Sequence, residues 1–437
     1  MFKIFVNSWK TKEIRNKILY TLMIFAIIRI GTQIALPGID AASVVAARES
    51  AGVGTLYSMI AGGANSSWSI FAMGIGPYIN ASIIMQLLTY ALPPLERMRD
   101  EGEEGQKKLN KITAAVSLAL SVFMSFAYYL TLKNQMNAVV DGGSKAANVF
   151  IAFVIILSFI AGTSIVVWMG NQINDKGIGN GISMLLFAGI LARFPVMAGT
   201  LGELTKNEPQ RYFFESLGIL ILFIAMIAFI VFMNASERRI PIQYAKRVVG
   251  RKQYGGQSTH IPVKVCMSGV MPIIFAMSFM SLPSTISLFK PVYDDPTGFW
   301  QKFYNGFINF FNTRTWTYAL IYFILIIAFN YFYVSMQYNP IEIANNLRQS
   351  NGGIPGIRPG KPTSDYIQRV LSKITLVGAF FLGIIAIFPI ALNWMDPNLS
   401  SLAMGGTTIL IVVSVALETV RTLESEMMMR HHKGFLE

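Results

Sequence analysis

The sequence is poor in cysteine, histidine and charge. Its 437 residues include one cysteine, Cys266, and three histidines, His260, His431 and His432. A single cysteine excludes a disulfide framework and any paired-cysteine metal site. No second ligand stands at metal-binding spacing from the histidines. Charged residues make up 14% of the chain and hydrophobic ones 53%, whereas soluble domains carry about 25% charged. The long apolar runs have no acidic residue near their centres; Glu215 and Glu418 fall near ends. HExxH, GxSxG and P-loop patterns are missing. These absences argue against an enzyme. They also argue against an ion-coupled carrier, which needs intramembrane carboxylates or equivalent polar ligands. A small-solute secondary transporter that moves its substrate alone remains an alternative. The start lacks a short apolar segment followed by a small-residue cleavage site, so no cleaved leader is expected.

Apolar runs are abundant, and they predict an all-α polytopic membrane protein. About 20 apolar residues suffice to cross a bilayer. Ten such runs follow one another: Ile18–Leu36, Ser69–Leu92, Ile112–Leu132, Asn148–Met169, Ile182–Leu201, Glu215–Ala235, Val263–Leu288, Trp316–Met336, Ile374–Leu392 and Leu402–Val420. The stretch Thr55–Leu92 organises the rest. Its first part carries small and polar residues with a Gly62-Gly63 pair, and reads as a half-span that re-enters the membrane from outside. Its second part is apolar yet holds Gly74, Gly76, Pro77, Asn80, Ser82 and Gln86. Lipid offers such groups no partners, so this span should face protein or water.

Other features stand out. Met1–Lys17 is basic and amphipathic and should lie on the inner membrane surface. Arg29 lies well inside the first run, where a long cation either snorkels to the interface or makes a packed contact. Gly and Pro recur at Gly74–Pro77, Gly177–Gly181, Gly269–Pro272 and Gly405-Gly406. Small residues let transmembrane backbones pack closely; a movable helix set around a central path is the sharper reading. Segments 236–262 and 337–373 are long for helix connections and predict docking of a partner, solvated linkers being the plain alternative. Lys290–Arg314 is a loop rich in aromatics.

The net charge of +13 is distributed unevenly. With the N-terminus placed inside, most Lys and Arg fall on inner segments. The outer segments and span ends hold only Arg48, Lys133, Lys145, Arg193, Lys206, Arg211, Lys290, Lys302 and Arg314. The positive-inside rule then puts both termini and both long loops in the cytoplasm. The charge is first a topology signal, not a nucleic-acid footprint.

Several longer motifs resemble the SecY family, the central subunit of the bacterial protein-translocation channel. They are IFAMGIGPYINASIIMQLL (Ile70–Leu88), GIGNGIS (Gly177–Ser183), ERRIPIQYAKR (Glu237–Arg247), QSTHIPVKV (Gln257–Val265), NPIEIANNLRQSNGGIPGIRPGKPT (Asn339–Thr363) and GGTTILIVV (Gly405–Val413). LPGID at Leu36–Asp40 and EGEEGQKK at Glu101–Lys108 fit the same order, so the resemblance covers the whole chain.

The resemblance implies ten transmembrane helices in two pseudo-symmetric halves of five, divided as 1–202 and 203–437, with a re-entrant plug helix. It implies a plug formed by Thr55, Leu56, Tyr57, Ser58, Met59, Ile60, Ala61, Gly62, Gly63, Ala64, Asn65 and Ser66. The aliphatic pore ring falls on Ile75, Ile79, Leu186, Ile190, Ile274 and Ile411. A lateral gate falls between the second and third spans and the seventh and eighth. Gln86 matches its polar position, and Cys266 stands where asparagine is usual. Docking of the motor ATPase SecA and of the ribosome falls on Arg238, Arg239, Lys246, Arg247, Arg251, Lys252 and Arg358. The implied function is a protein-conducting channel that passes unfolded preproteins and releases apolar segments into lipid. It is not an enzyme and needs no cofactor; a bound motor or ribosome drives it. SecE and SecG subunits, preprotein signal sequences and membrane lipids are the further partners. The expected location is the bacterial cytoplasmic (inner) membrane.

Overall fold

The computed structural model describes residues 9–40, 68–134, 137–192, 194–195, 209–244, 247–249, 252–254, 258–289, 298–312, 315–395 and 406–433. The plug segment Thr55–Ser66 lies outside them. Helix dominates. Among the described residues, four helices are long and apolar enough to cross a membrane: Glu103–Asn134, Lys145–Lys176, Trp316–Gln349 (a helix pair) and Lys361–Ala391. Gly181–Leu191, Leu220–Ala235 and Met271–Pro283 are shorter apolar helices. The chain forms two compact units. The first holds Met1–Glu203, Ser281–Ile308 and Val415–Glu437, and the second Leu204–Met280 and Asn309–Ser414.

The first unit begins with α1 (Lys12–Gly31), followed by an extended strip. That strip answers two other segments through its backbone. Leu36 N–H donates to Trp68 O at 3.2 Å and Ile70 N–H to Ile34 O at 3.2 Å. Asp40 N–H donates to Ala138 O at 2.8 Å and Val140 N–H to Gly38 O at 3.1 Å. The LPGID motif is therefore a backbone clip. Gly38 takes φ +84 against Ile151 and Ile155, a conformation and a closeness that a side chain would oppose. Trp68 takes φ +47, uncommon for a bulky residue. Its ring is held edge-on to Tyr128 at 5.6 Å, and Tyr128 meets Phe159 at 5.9 Å, within a core that includes Leu36, Met73, Leu132 and Ile155.

Helix α2 (Gly76–Ala91) starts later than the apolar pattern predicts. Gly74 turns the chain at φ +52, and Pro77 occupies the first helical turn, where its missing N–H costs nothing. The charged stretch after it is helical too: α3 (Pro93–Asp100) and the start of α4 (Glu103–Asn134). Lys107–Glu103 at 3.0 Å, four residues apart, and Lys108–Glu101 at 3.0 Å support it. Helix α5 (Lys145–Lys176) packs on α1, α4 and α6 (Gly181–Leu191), and α2 packs on α4.

The α5–α6 turn explains GIGNGIS. Asn180 Oδ1 accepts from Ile182 N at 3.1 Å and Ser183 N at 3.4 Å, an N-cap. Asn174 Oδ1 accepts from Gly181 N at 2.6 Å, and a Cβ at Gly181 would strike the Gly170 carbonyl. Thr21 Oγ1 accepts from Ile178 N at 3.3 Å. Ile14, Ile178 and Leu423 form a small core beside the Lys17–Glu426 ion pair at 2.7 Å, which joins α1 to α13 (Gly406–Lys433).

The second unit is built on α7 (Pro209–Ala235), α10 (Trp316–Gln337) and α12 (Lys361–Met395). Phe229 meets Phe381 edge-on at 5.0 Å. Gly383 leaves room for the Phe323 ring, so α10 and α12 pack closely. Between them in sequence come α8 (Met271–Phe289) and α9 (Phe299–Phe310), whose residues Ser281–Ile308 belong to the first unit, and α11 (Pro340–Gln349).

Glycine contacts give a stability test. A Cβ at Gly162 on α5 would run into the Ile70 carbonyl oxygen, whereas one at Gly218 on α7 meets nothing within 4 Å. Gly162→Val should cost about 1–3 kcal/mol by overpacking, and Gly218→Ala should be neutral or mildly stabilising. Thermal unfolding of the purified protein in detergent checks both, and equal melting curves would contradict the packing described.

Candidate functional site

The predicted residues fall on apolar helices of each unit and on a folded loop module. In the first unit, Ile75 stands at the N-cap of α2 and Ile79 one turn on, with Ile79 N–H donating to Ile75 O at 3.0 Å. Leu186 and Ile190 lie on α6. Ile75, Leu186 and Ile190 are buried and Ile79 is half-buried. Ile75 shares a cavity of about 40 Å³ with Phe25, Arg29, Thr32, Phe71 and Leu185. A water needs roughly 10–15 Å³ on this measure, so the space is large enough for one. Leu186 and Ile190 are not on its lining. Arg29 is half-buried in the last turn of α1 and lines this cavity. Ile274 on α8 and Ile411 on α13 belong to the second unit; Ile411 is buried and Ile274 half-buried.

Gln86 lies on α2 in the first unit and Cys266 on the turn before α8 in the second. Gln86 Nε2 reaches Ser82 Oγ at 3.5 Å, a long contact. Its Oε1 is buried with no hydrogen-bond partner among the described residues. A buried carbonyl left unpaired is costly. That residue is therefore poised to accept a donor.

The turn that carries Cys266 is anchored by residues the sequence reading passed over. Asn330, 2% exposed, sits mid-way along α10. Its Oδ1 accepts from Ser268 Oγ, and its Nδ2 donates to Thr375 O on α12 at 2.9 Å. Gly378 lets the Val265 carbonyl approach α12 at the same place. One amide thus ties three segments. The signal was present: Asn330 is a lone amide in the apolar run Trp316–Met336, and intramembrane polar groups are costly unless partnered.

The two long loops fold into one module. Strand β1 (Glu237–Tyr244) pairs antiparallel with β4 (Ser258–Lys264), in register from Glu237 opposite Lys264 to Gln243 opposite Ser258. On its other edge β1 pairs with β5 (Gly352–Gly353), Gln243 opposite Gly353. Strands β2 (Arg247–Val249) and β3 (Lys252–Tyr254) form a separate two-stranded sheet. A core of Ile240, Ile242, Val263, Leu347, Ile354, Ile367 and Leu371 holds the first sheet against α11 and α12. Alternation explains it over residues 239–242, since Ile240 and Ile242 point inward while Arg239 and Pro241 are exposed; Arg238, near the end of the strand, is exposed as well.

Arg238 and Arg239 are both exposed, and Arg239 Nε pairs with Glu237 at 2.8 Å. Arg358 is exposed on a tight loop flanked by Gly356 at φ +79 and Gly360 at φ +100. Thr363 Oγ1 donates to Arg358 O at 2.8 Å, and Ile357 N–H to Ile354 O at 3.1 Å. Its backbone is therefore fixed while its guanidinium reaches out. Arg247 and Lys252 lie on β2 and β3, and Lys246 and Arg251 fall outside the described residues. Among the described residues no group of three or more His, Cys, Asp or Glu could hold a metal ion.

The SecY family model matches residues 69–420. A curated relative, the protein translocase subunit SecY of Streptomyces scabiei, is 38% identical over 449 residues, covering 100% of each chain. Among solved structures, one described as showing that the plug domain of SecY stabilises the closed state and maintains a membrane seal has a TM-score of 0.65. It covers 94% of this chain and 92% of that one at 19% identity. Canine Sec61, from a ribosome–channel complex of the endoplasmic reticulum, has a TM-score of 0.55, the same coverage and 16% identity. At these identities the two structures bear on the fold alone.

The anchoring role of Asn330 is testable. Asn330→Ala should lower stability by about 1–3 kcal/mol, the cost of stranding buried partners. It should also raise the alkylation rate of Cys266 in detergent, where Ser335→Ala, on the same helix, should not. An unchanged melting curve and alkylation rate would remove Asn330 from the anchor.

Proposed function

The chain belongs to the SecY family, and we infer that it is the protein-conducting subunit of a translocase. It is a multi-pass membrane channel and not an enzyme. The observation that carries this is end-to-end identity of 38% with a translocase subunit. A small-solute transporter has no comparable support.

The finer assignments are our proposal. Ile75, Ile79, Leu186, Ile190, Ile274 and Ile411 form an aliphatic constriction, and Thr55–Ser66 the plug that fills the outer funnel when the channel is idle. A narrow apolar ring sheds water and so blocks ions, yet deforms around an unfolded chain without gripping its polar groups. The wall residues described are buried or half-buried aliphatics without a reactive group, which supports this reading. The halves divide near 202/203. Gln86 and Cys266 belong to a lateral gate through which apolar segments pass to lipid, because a run of about 20 apolar residues prefers hydrocarbon to water. The unpaired Gln86 carbonyl supports a polar partner there.

Arg238, Arg239 and Arg358, with Lys246, Arg247, Arg251 and Lys252, dock SecA or the ribosome. Exposed cations on a rigid module suit acidic protein surfaces and RNA phosphates alike. SecE and SecG complete the complex, signal sequences engage the gate, and the site of action is the bacterial cytoplasmic membrane with both termini inside.

Two measurements test the proposal. Reconstituted with SecE and SecG in a planar bilayer, the wild type should be silent. A variant lacking Thr55–Ser66 and carrying Ile75→Gly, Ile79→Gly and Ile411→Gly should conduct ions; silence from a folded variant would overturn the placement of the ring. Arg358→Glu should slow SecA-driven preprotein transport at least about tenfold, or about 1.4 kcal/mol. Transport at the wild-type rate would sink the docking assignment.

A further inference from the structure

Helix α9 presents its aromatic side outward. At about 100° per residue, Phe299, Trp300, Phe303, Phe307 and Phe310 share one face of the helix. All five are exposed, Phe299 and Trp300 by 78% and 77%. Gln301, Tyr304, Asn305 and Ile308, on the opposite side, are half-buried. The more buried side of the helix is thus the mixed polar one and the more exposed side the aromatic one, the reverse of a helix on a water-facing surface. The exposed rings touch edge to face, Phe299 with Trp300 at 6.0 Å and Trp300 with Phe303 at 6.3 Å.

The level of this helix is set by its C-terminal end. Thr317 Oγ1 donates to Phe310 O at 3.0 Å, and Thr315 N–H donates to Asn312 O at 3.0 Å. Thr317 lies in the first turn of α10, an apolar helix of 22 residues. At 1.5 Å per residue α10 is about 33 Å long, close to the roughly 30 Å hydrocarbon thickness. Its first residue, Trp316, is 71% exposed and marks one edge of that slab. The end of α9 is bonded to the same edge.

We propose that α9 is an interfacial membrane anchor. It lies in the headgroup–acyl boundary on the side where α10 begins, with its five aromatic side chains in lipid and Lys302 among the phosphates. Aromatic rings favour this zone, and amphipathic helices of this kind bury their apolar face about 5–10 Å into it. Lys302 is exposed beside the aromatic face, where an interfacial cation belongs. Lipid is favoured over a soluble protein partner because the helix is bonded at the depth of a span end. The anchor would hold the segment leading into α10 at constant depth while other parts of the chain move.

The test uses the full chain in vesicles of phosphatidylcholine and phosphatidylglycerol. In a Cys266→Ser background, nitroxide labels are placed by Phe303→Cys, Phe307→Cys, Lys302→Cys, Asn309→Cys and, as a depth marker, Trp316→Cys. Labels at 303 and 307 should collide with oxygen more than with a water-soluble nickel chelate and match the depth at 316. Labels at 302 and 309 should show the opposite preference. Nickel access at 303 and 307 equal to that at 302 would overturn the proposal. So would shielding of 303 and 307 from both reagents, which means a protein partner or second copy. Lipid access only while a preprotein occupies the channel would make the face a substrate surface and overturn it equally. Tryptophan fluorescence gives a second readout without cysteines. Vesicles with brominated acyl chains should quench the emission that Trp300→Phe removes; emission insensitive to bromine counts against the anchor.

Discussion

Hydrocarbon offers neither donors nor acceptors, so each polar group at membrane depth must be answered by the protein itself. The structure is arranged around that demand. Asn330 answers it by spending its amide on Ser268 and the Thr375 carbonyl, and three segments are joined as a result. In the connection between two spans, Asn174 and Asn180 likewise answer the orphan N–H groups at the start of α6. Thr113, Thr131, Ser158 and Thr375 return their hydroxyls to carbonyls one turn back, each within its own helix. Where the demand is unmet among the described residues, as at Gln86 Oε1, a functional reading gains weight.

Close backbone approach follows from the same setting. Water does not drive helices together inside a bilayer, so packing contacts must. Gly162 against the Ile70 carbonyl, Gly181 against the Gly170 carbonyl and Gly378 against the Val265 carbonyl are places where a methyl group would force helices and turns apart. They fall beside the start of α2, the start of α6 and the turn before α8. All three carry residues assigned to the proposed channel wall or gate. A movable wall needs rigid bodies to move, and these contacts make the bodies rigid.

Outside the apolar helices the logic reverts to that of a soluble domain. The loop module has its own alternating strands, its own aliphatic core and a charged open face. A folded module suits the proposed docking, because little conformational freedom of the loops would be lost on binding a partner. The arginine at the tip of a glycine-flanked turn and the arginines on β1 belong to one folded body, although more than a hundred residues separate them in the chain.

Composition and apolar run length by themselves determined the class: low charge and repeated runs near 20 residues leave a polytopic helical membrane protein, because exposing those runs to water is prohibitive. Long local motifs likewise determined the family, and asymmetric Lys and Arg the expected topology. Helix starts were partly legible, since Pro77 and Asn180 act locally through their own backbone and side-chain chemistry. Tertiary structure alone decided that α2 begins at Gly76 after a turn tied to Leu36, that residues 237–244, 258–264 and 352–353 share a sheet, and that the aromatic face of α9 points outward. Each of these depends on hydrogen bonds or packing between segments far apart in the chain, which no local periodicity encodes. The function of Asn330 was hidden for the same reason: its residue type was visible, but its two partners, 62 and 45 residues away, were not.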